Sequence, residues 1–125
     1  MFYIDLKSRT PIYEQIYNKI VELVVTGNLK ENDQLPSVRN LAKDIGVNPN
    51  TVTKAYQELE RSSIIYSIPG RGSFISAQDT TFFHTAALEE FDQSTEKAKR
   101  LGIAAKTLVE HIDVIFENSQ KGDAK

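Results

Sequence analysis

The sequence predicts a mainly α-helical chain with one small β-hairpin. It divides into an N-terminal unit over residues 1–76 and a two-helix tail over residues 77–125. Three observations carry this reading. Apolar residues recur at the helical period in five segments. Capping residues start the first three of them, and glycines stop the first two. Two short apolar runs flank Pro69-Gly70-Arg71-Gly72 in "IIYSIPGRGSFIS", the pattern of a hairpin with a glycine-rich tip.

The first helix starts at Thr10-Pro11, where Thr can cap and Pro suits the first helical position. Ile12, Ile16, Ile20, Leu23 and Val24 then form one stripe, and Gly27 closes the helix. "NLKENDQLP" is a polar loop. Ser37 can cap a short second helix carrying Val38, Leu41, Ala42 and Ile45, which Gly46 ends. Asn48-Pro49 repeats the Thr-Pro device and opens a third helix with Val52, Ala55, Tyr56 and Leu59 on one face. The hairpin follows. "AQDTTFF" is a candidate junction, and two tail helices are expected at roughly 82–101 and 104–118, broken by Leu101-Gly102-Ile103. Phe83, Ala87 and Phe91 stripe one; Leu108, Ile112, Ile115 and Phe116 stripe the other.

Composition sets the limits. The 125 residues, 26% charged and 40% hydrophobic, suit one ordinary domain or a small domain with an appendage. Without cysteine there is neither a disulfide nor a Cys-based metal site. No apolar run approaches the about 20 residues of a membrane span, and "MFYIDLKSRT" does not read as a signal peptide. A cytoplasmic protein is expected. The net charge of −2 is unevenly spread. Residues 1–76 hold nine Lys/Arg against eight Asp/Glu, and residues 77–125 hold six against nine. A near-neutral first unit lacks the usual basic footprint of a nucleic-acid binder. Any DNA affinity must come from where its charges sit.

Two helices joined by a tight Gly-containing turn make a helix-turn-helix, whose second helix lies in the major groove with its N-terminal residues at base edges. That accounts for the small polar residues of "NPNTVTK". Asn can pair bidentately with adenine, and Thr can meet a phosphate, a base or a thymine methyl. The hairpin is then a wing: Gly70 and Gly72 allow close backbone approach, and Arg71 at the tip can reach a minor groove or a phosphate.

Residues 35–75, "LPSVRNLAKDIGVNPNTVTKAYQELERSSIIYSIPGRGSFI", resemble the winged helix-turn-helix of the GntR family of bacterial transcription regulators. "PIYEQIYNKIVELVVTGNLKENDQLPS" resembles its first helix and loop. The resemblance implies DNA contacts from Arg39 of the "PSxR" motif, from Asn48, Asn50, Thr51 and Thr53 with Lys54 beside them, and from the wing turn Gly70, Arg71 and Gly72. Several relatives have Arg or Ser in place of Pro49, and some have Arg in place of Thr53. Ser63 stands where the family usually has Gly. A left-handed Ser costs of order 1 kcal/mol, so that corner is expected to be built differently. The short tail resembles the YtrA subfamily. This implies a homodimer through the tail, with Phe83, Phe91, Leu108, Ile112, Ile115 and Phe116 at the interface, and a role beside ABC-transporter genes.

The remaining residues suggest less. His84 and His111 lie on different tail helices without a carboxylate cluster, so no metal site is expected. Phe82, Phe83, Phe91 and Phe116 suit core or dimer interface at helical spacing, and a small apolar effector can be imagined among them. Glu89, Glu90, Glu96 and Lys97-Lys99-Arg100 read as a solvated face. No Ser-His-Asp set, phosphate-cradling loop or HExxH motif is present, so neither an enzyme nor a cofactor is expected. The expected function is a sequence-specific transcription regulator, a repressor bound as a homodimer to an inverted-repeat operator. The alternative is a winged helix used as a protein-interaction module, which near-neutral charge favours and the polar recognition helix with Arg39 and Arg71 disfavours.

Overall fold

The computed structural model describes residues 3–123. It forms two compact units, one ending at Thr80 and one beginning at Thr81, so the division falls inside the 77–83 junction. The first unit carries α1 (Ile12–Val25), α2 (Val38–Ile45), α3 (Pro49–Arg61), β1 (Ile65–Ile68) and β2 (Gly72–Ile75). α4 (Thr80–Arg100) and α5 (Ala105–Asp123) make the tail. No described helix is long and apolar enough to cross a membrane.

The first unit is a winged helix-turn-helix. α3 packs against both α1 and α2, and its end leads into β1. The core is built from the stripes that the sequence spacing marks. Ile16, Ile20 and Val24 of α1, Leu41 and Ala42 of α2, and Val52, Ala55, Tyr56 and Leu59 of α3 are all buried. Ile64, Ile65 and Ile75 of the hairpin close it. The hairpin is antiparallel, with Ile65 opposite Ile75 and Ile68 opposite Gly72. Tyr66 and Phe74, paired across the strands and both half-buried, are stacked with centroids 5.6 Å apart.

Two local expectations are corrected. α1 starts one residue later than Thr10-Pro11 suggests. Pro11 is the N-cap itself, with no side-chain cap bond. Thr10 belongs instead to the preceding arm, which Gln15 holds. The Gln15 Nε2 donates to the carbonyls of Thr10 and Asp5, both at 2.9 Å, and its Oε1 accepts from the Asp5 N–H at 2.8 Å.

The corner after α3 is not rebuilt to spare Ser63. Ser63 takes φ 62°. The Ser63 N–H donates to the Glu60 carbonyl at 3.0 Å and the Ile64 N–H to the Leu59 carbonyl at 2.9 Å. Those two bonds are the helix end usually built on glycine. Burial of Ile64 and Ile65 fixes the path, and the left-handed Ser is its cost. Ser63→Gly is therefore expected to stabilise the first unit by about 1 kcal/mol. Chemical denaturation checks this, and an unmoved midpoint contradicts it.

Candidate nucleic-acid interface

α2 and α3 are set by their caps. The Ser37 Oγ accepts from the Asn40 N–H at 3.1 Å. Gly46 ends α2 at φ 72°, where a side chain would be strained. Three residues later Pro49 occupies the first helical position of α3, and the Asn48 Oδ1 accepts from the Asn50 N–H at 2.8 Å. The helix stops and restarts because α3 must leave α2 at an angle. That turn frees the N-terminal end of α3 from its own chain.

The buried stripe of α3 decides which side chains face outward. Opposite Val52, Ala55, Tyr56 and Leu59, the helical spacing places Asn50, Thr53, Lys54 and Gln57 on one face. Asn50, Lys54 and Gln57 are exposed and Thr53 is half-buried. Thr51 lies at the flank of this face and is also half-buried. Gln57 was not among the residues singled out from sequence. The signal was available, since it continues the i, i+3, i+4, i+7 series that starts at Asn50.

Three tyrosines tie this face to the rest of the unit. Tyr13 of α1 lies under Lys54, whose Nζ is 4.0 Å from the ring centroid, so the ammonium is held at the helix surface. The Tyr17 hydroxyl donates to the Ser62 Oγ at 3.0 Å at the far end of α3. The buried Tyr56 hydroxyl donates to the Pro36 carbonyl at 2.7 Å, linking α3 to the segment that leads into α2. Burial pushes that hydroxyl well above the ordinary phenol range, so it remains a donor.

Two arginines of this unit stand apart from its ion pair. Among the described residues, the ion pair within reach joins Arg61 to Glu58 at 2.7 Å on α3. Arg39, in the first turn of α2, and Arg71, at the wing tip, are exposed with no carboxylate partner. Arg71 lines a crevice of about 280 Å³ whose other wall is Pro36, Ser37 and Val38, the residue before Arg39. The start of α2 and the wing tip thus neighbour each other, although 32 residues separate Arg39 from Arg71 in sequence. At the tip Gly70 has φ 78° and Gly72 has φ 121°, and the Arg71 N–H donates to the Ile68 carbonyl at 2.9 Å.

The tail differs in kind. No residue from 77 to 118 is buried, and α4 and α5 do not pack as a pair along their length. Phe83, Leu108 and Ile112 are half-buried, whereas Phe91 is 48%, Ile115 62% and Phe116 65% exposed. Val109, exposed as well, falls on the same stripe of α5 as Leu108, Ile112, Ile115 and Phe116 and was missed from sequence. Phe82 and Phe83 meet edge to face at 5.6 Å.

The family model of bacterial regulatory proteins, gntR family, matches residues 12–75. Over 126 aligned positions the chain is 43% identical to the HTH-type transcriptional repressor YtrA of Bacillus subtilis (strain 168), covering 98% of this chain and 97% of that one. It is similar to the crystal structure of a transcriptional antiterminator from Listeria monocytogenes EGD-e. There the TM-score is 0.73 and the identity 39%, over 92% of this chain and 89% of the other. It is also similar to the DNA-binding domain of AraR in complex with operator ORE1, with TM-score 0.53 and 27% identity over 61% and 95% of the two chains.

Proposed function

We propose that this chain, a DNA-binding transcription regulator that belongs to the gntR family of bacterial regulatory proteins, represses its target genes as a cytoplasmic homodimer on an inverted-repeat operator. The observation that carries the reading is the polar face of α3. Asn50, Thr53, Lys54 and Gln57 project from a helix whose other side is wholly committed to the core. Asn50 is the adenine reader, since its carboxamide is exposed. Asn48 contributes less, because bidentate pairing needs both amide atoms and its carbonyl oxygen caps the helix. Thr51 and Thr53 meet backbone or a thymine methyl, and Lys54 meets phosphate. Arg39 meets DNA from the start of α2 and Arg71 from the wing tip, with Gly70 and Gly72 letting the wing backbone come close.

Repression is supported by the 43% identity to the repressor YtrA over nearly the whole chain, and DNA recognition by the AraR operator complex. Control of ABC-transporter genes rests on the YtrA resemblance. The homodimer is supported by the tail, whose apolar stripes have no core of their own. A small apolar effector is the remaining element. Phe82, Phe83, Phe91 and Phe116 expose aromatic surface for a small apolar molecule, and a dimer contact uses the same rings.

The test is a fluorescence-anisotropy titration of the full chain with its own upstream DNA and with a shuffled duplex, at several salt concentrations. Specific binding is expected to exceed shuffled binding by at least about 10³. Arg71→Ala is expected to flatten the salt slope by about 0.9, the value for one phosphate contact. Equal affinity for both duplexes would leave the protein-interaction reading standing instead.

A further inference from the structure

The loop before α2 ends as a third rail of the wing. The Asn32 N–H donates to the Ile75 carbonyl at 2.8 Å, the Ile75 N–H to the Asp33 carbonyl at 2.9 Å, and the Leu35 N–H to the Ser73 carbonyl at 2.9 Å. Gln34 and Phe74 form a bridge between them. The Tyr66 hydroxyl on β1 donates to the Asn32 Oδ1 at 2.8 Å, reaching across the same rail.

One side chain of this rail goes further. The Gln34 Nε2 donates to the Arg71 carbonyl at 2.8 Å. It gets there through space that only a glycine leaves open: a Cβ on Gly72 would lie 2.8 Å from the same Nε2. Gly72 also holds φ 121°, which side-chain-bearing residues rarely take. Gly72 thus serves two needs at once, the backbone bend and the passage of the Gln34 amide.

We infer that Gln34 is a positioning residue for the wing, whose carboxamide fixes the direction in which Arg71 leaves the hairpin tip. The tip has two glycines, and Pro69, Gly70, Arg71 and Gly72 are all exposed. Left alone it samples many directions, and ordering it on DNA costs conformational entropy. A hydrogen bond to the carbonyl of Arg71 itself removes that freedom before DNA arrives. Gln34 need not touch DNA to matter. The inference rests on the reading that Arg71 contacts DNA.

A double-mutant cycle on the full-length protein tests it, with operator affinity read by anisotropy and folding checked by thermal denaturation. Gln34 is exposed, so Gln34→Ala is expected to keep the fold. It should weaken operator binding about threefold to tenfold, the scale of one net hydrogen bond. In the Arg71→Ala background the same change should cost nothing, because there is no longer an arginine to aim. Gln34→Met, of similar length but uncharged and unable to donate, should behave as Gln34→Ala does in the cycle. An equal loss in both backgrounds would overturn the inference, since Gln34 would then act on its own. No loss from Gln34→Ala alongside a clear loss from Arg71→Ala would overturn it while leaving the wing contact intact. No loss from Arg71→Ala would remove both.

Discussion

Aspartate at both Ile112 and Phe116 will leave the protein monomeric and lower its operator affinity by about 10²–10⁴-fold. The expectation follows from what the tail lacks. No residue from 80 to 118 in its two helices is buried, while α5 presents Leu108, Val109, Ile112, Ile115 and Phe116 on one stripe, with Phe116 65% exposed. An amphipathic helix with its apolar stripe open to water is stabilised by covering it, at roughly 25 cal/mol per Å² or about 1.5–3 kcal/mol per large side chain. A second copy of the same stripe is the cover that is always at hand, and two-fold pairing is the commonest arrangement. Two carboxylates at its centre must be desolvated on pairing, which outweighs that gain. The first unit has its own core and should stay folded. What is lost on DNA is the tethering of two reading heads, which contributes an effective concentration rather than any contact. Analytical ultracentrifugation reads the first half and anisotropy the second. A wild-type chain that sediments as a monomer at micromolar concentration would sink the tail-dimer reading, as would a doubly substituted chain that remains a dimer.

Arg39→Ala will cost about 1–3 kcal/mol of operator binding, roughly tenfold to two-hundredfold, with the fold intact by circular dichroism. Arg39 lies in the first turn of α2, two residues past the Ser37 cap, exposed and without a carboxylate partner among the described residues. Its guanidinium therefore forfeits no internal ion pair by turning to DNA, and the α2 N-terminus adds a positive end beside it. Lys54 offers a contrast. Its ammonium already rests on the Tyr13 ring, so Lys54→Ala removes a phosphate contact of lower geometric specificity and should weaken all duplexes alike. Unchanged operator affinity in Arg39→Ala would remove that residue from the interface.

Much of the first unit was legible because its signals are local. Ser37, Gly46 and Asn48-Pro49 cap what they are expected to cap, and the apolar spacing of α3 matches its burial residue for residue. The same Thr-Pro logic failed by one residue at α1, where Gln15 draws Thr10 into the arm. Propensity alone misjudged Ser63. Packing of Ile64 and Ile65 imposes a left-handed turn that a serine tolerates at about 1 kcal/mol. The third rail of the wing left no trace in sequence, because backbone bonds between residues 32–35 and 73–75 need no periodicity in either segment. Of the proposed site, the exposure of Arg39, Asn50 and Arg71 agrees with the sequence pattern. The engagement of Lys54 with Tyr13 and of Gln34 with Arg71 could not be named in advance, since each joins residues about 40 apart along the chain.

The central claim is that paired copies of α3 read one duplex sequence-specifically. Selection of bound duplexes from a randomised pool by the full-length protein, followed by sequencing, tests it most directly. The expected result is enrichment of an inverted repeat with adenines in each half-site and half-site centres about one helical turn apart or a multiple of it. Enrichment of a lone half-site, or of nothing above the starting pool, would contradict it.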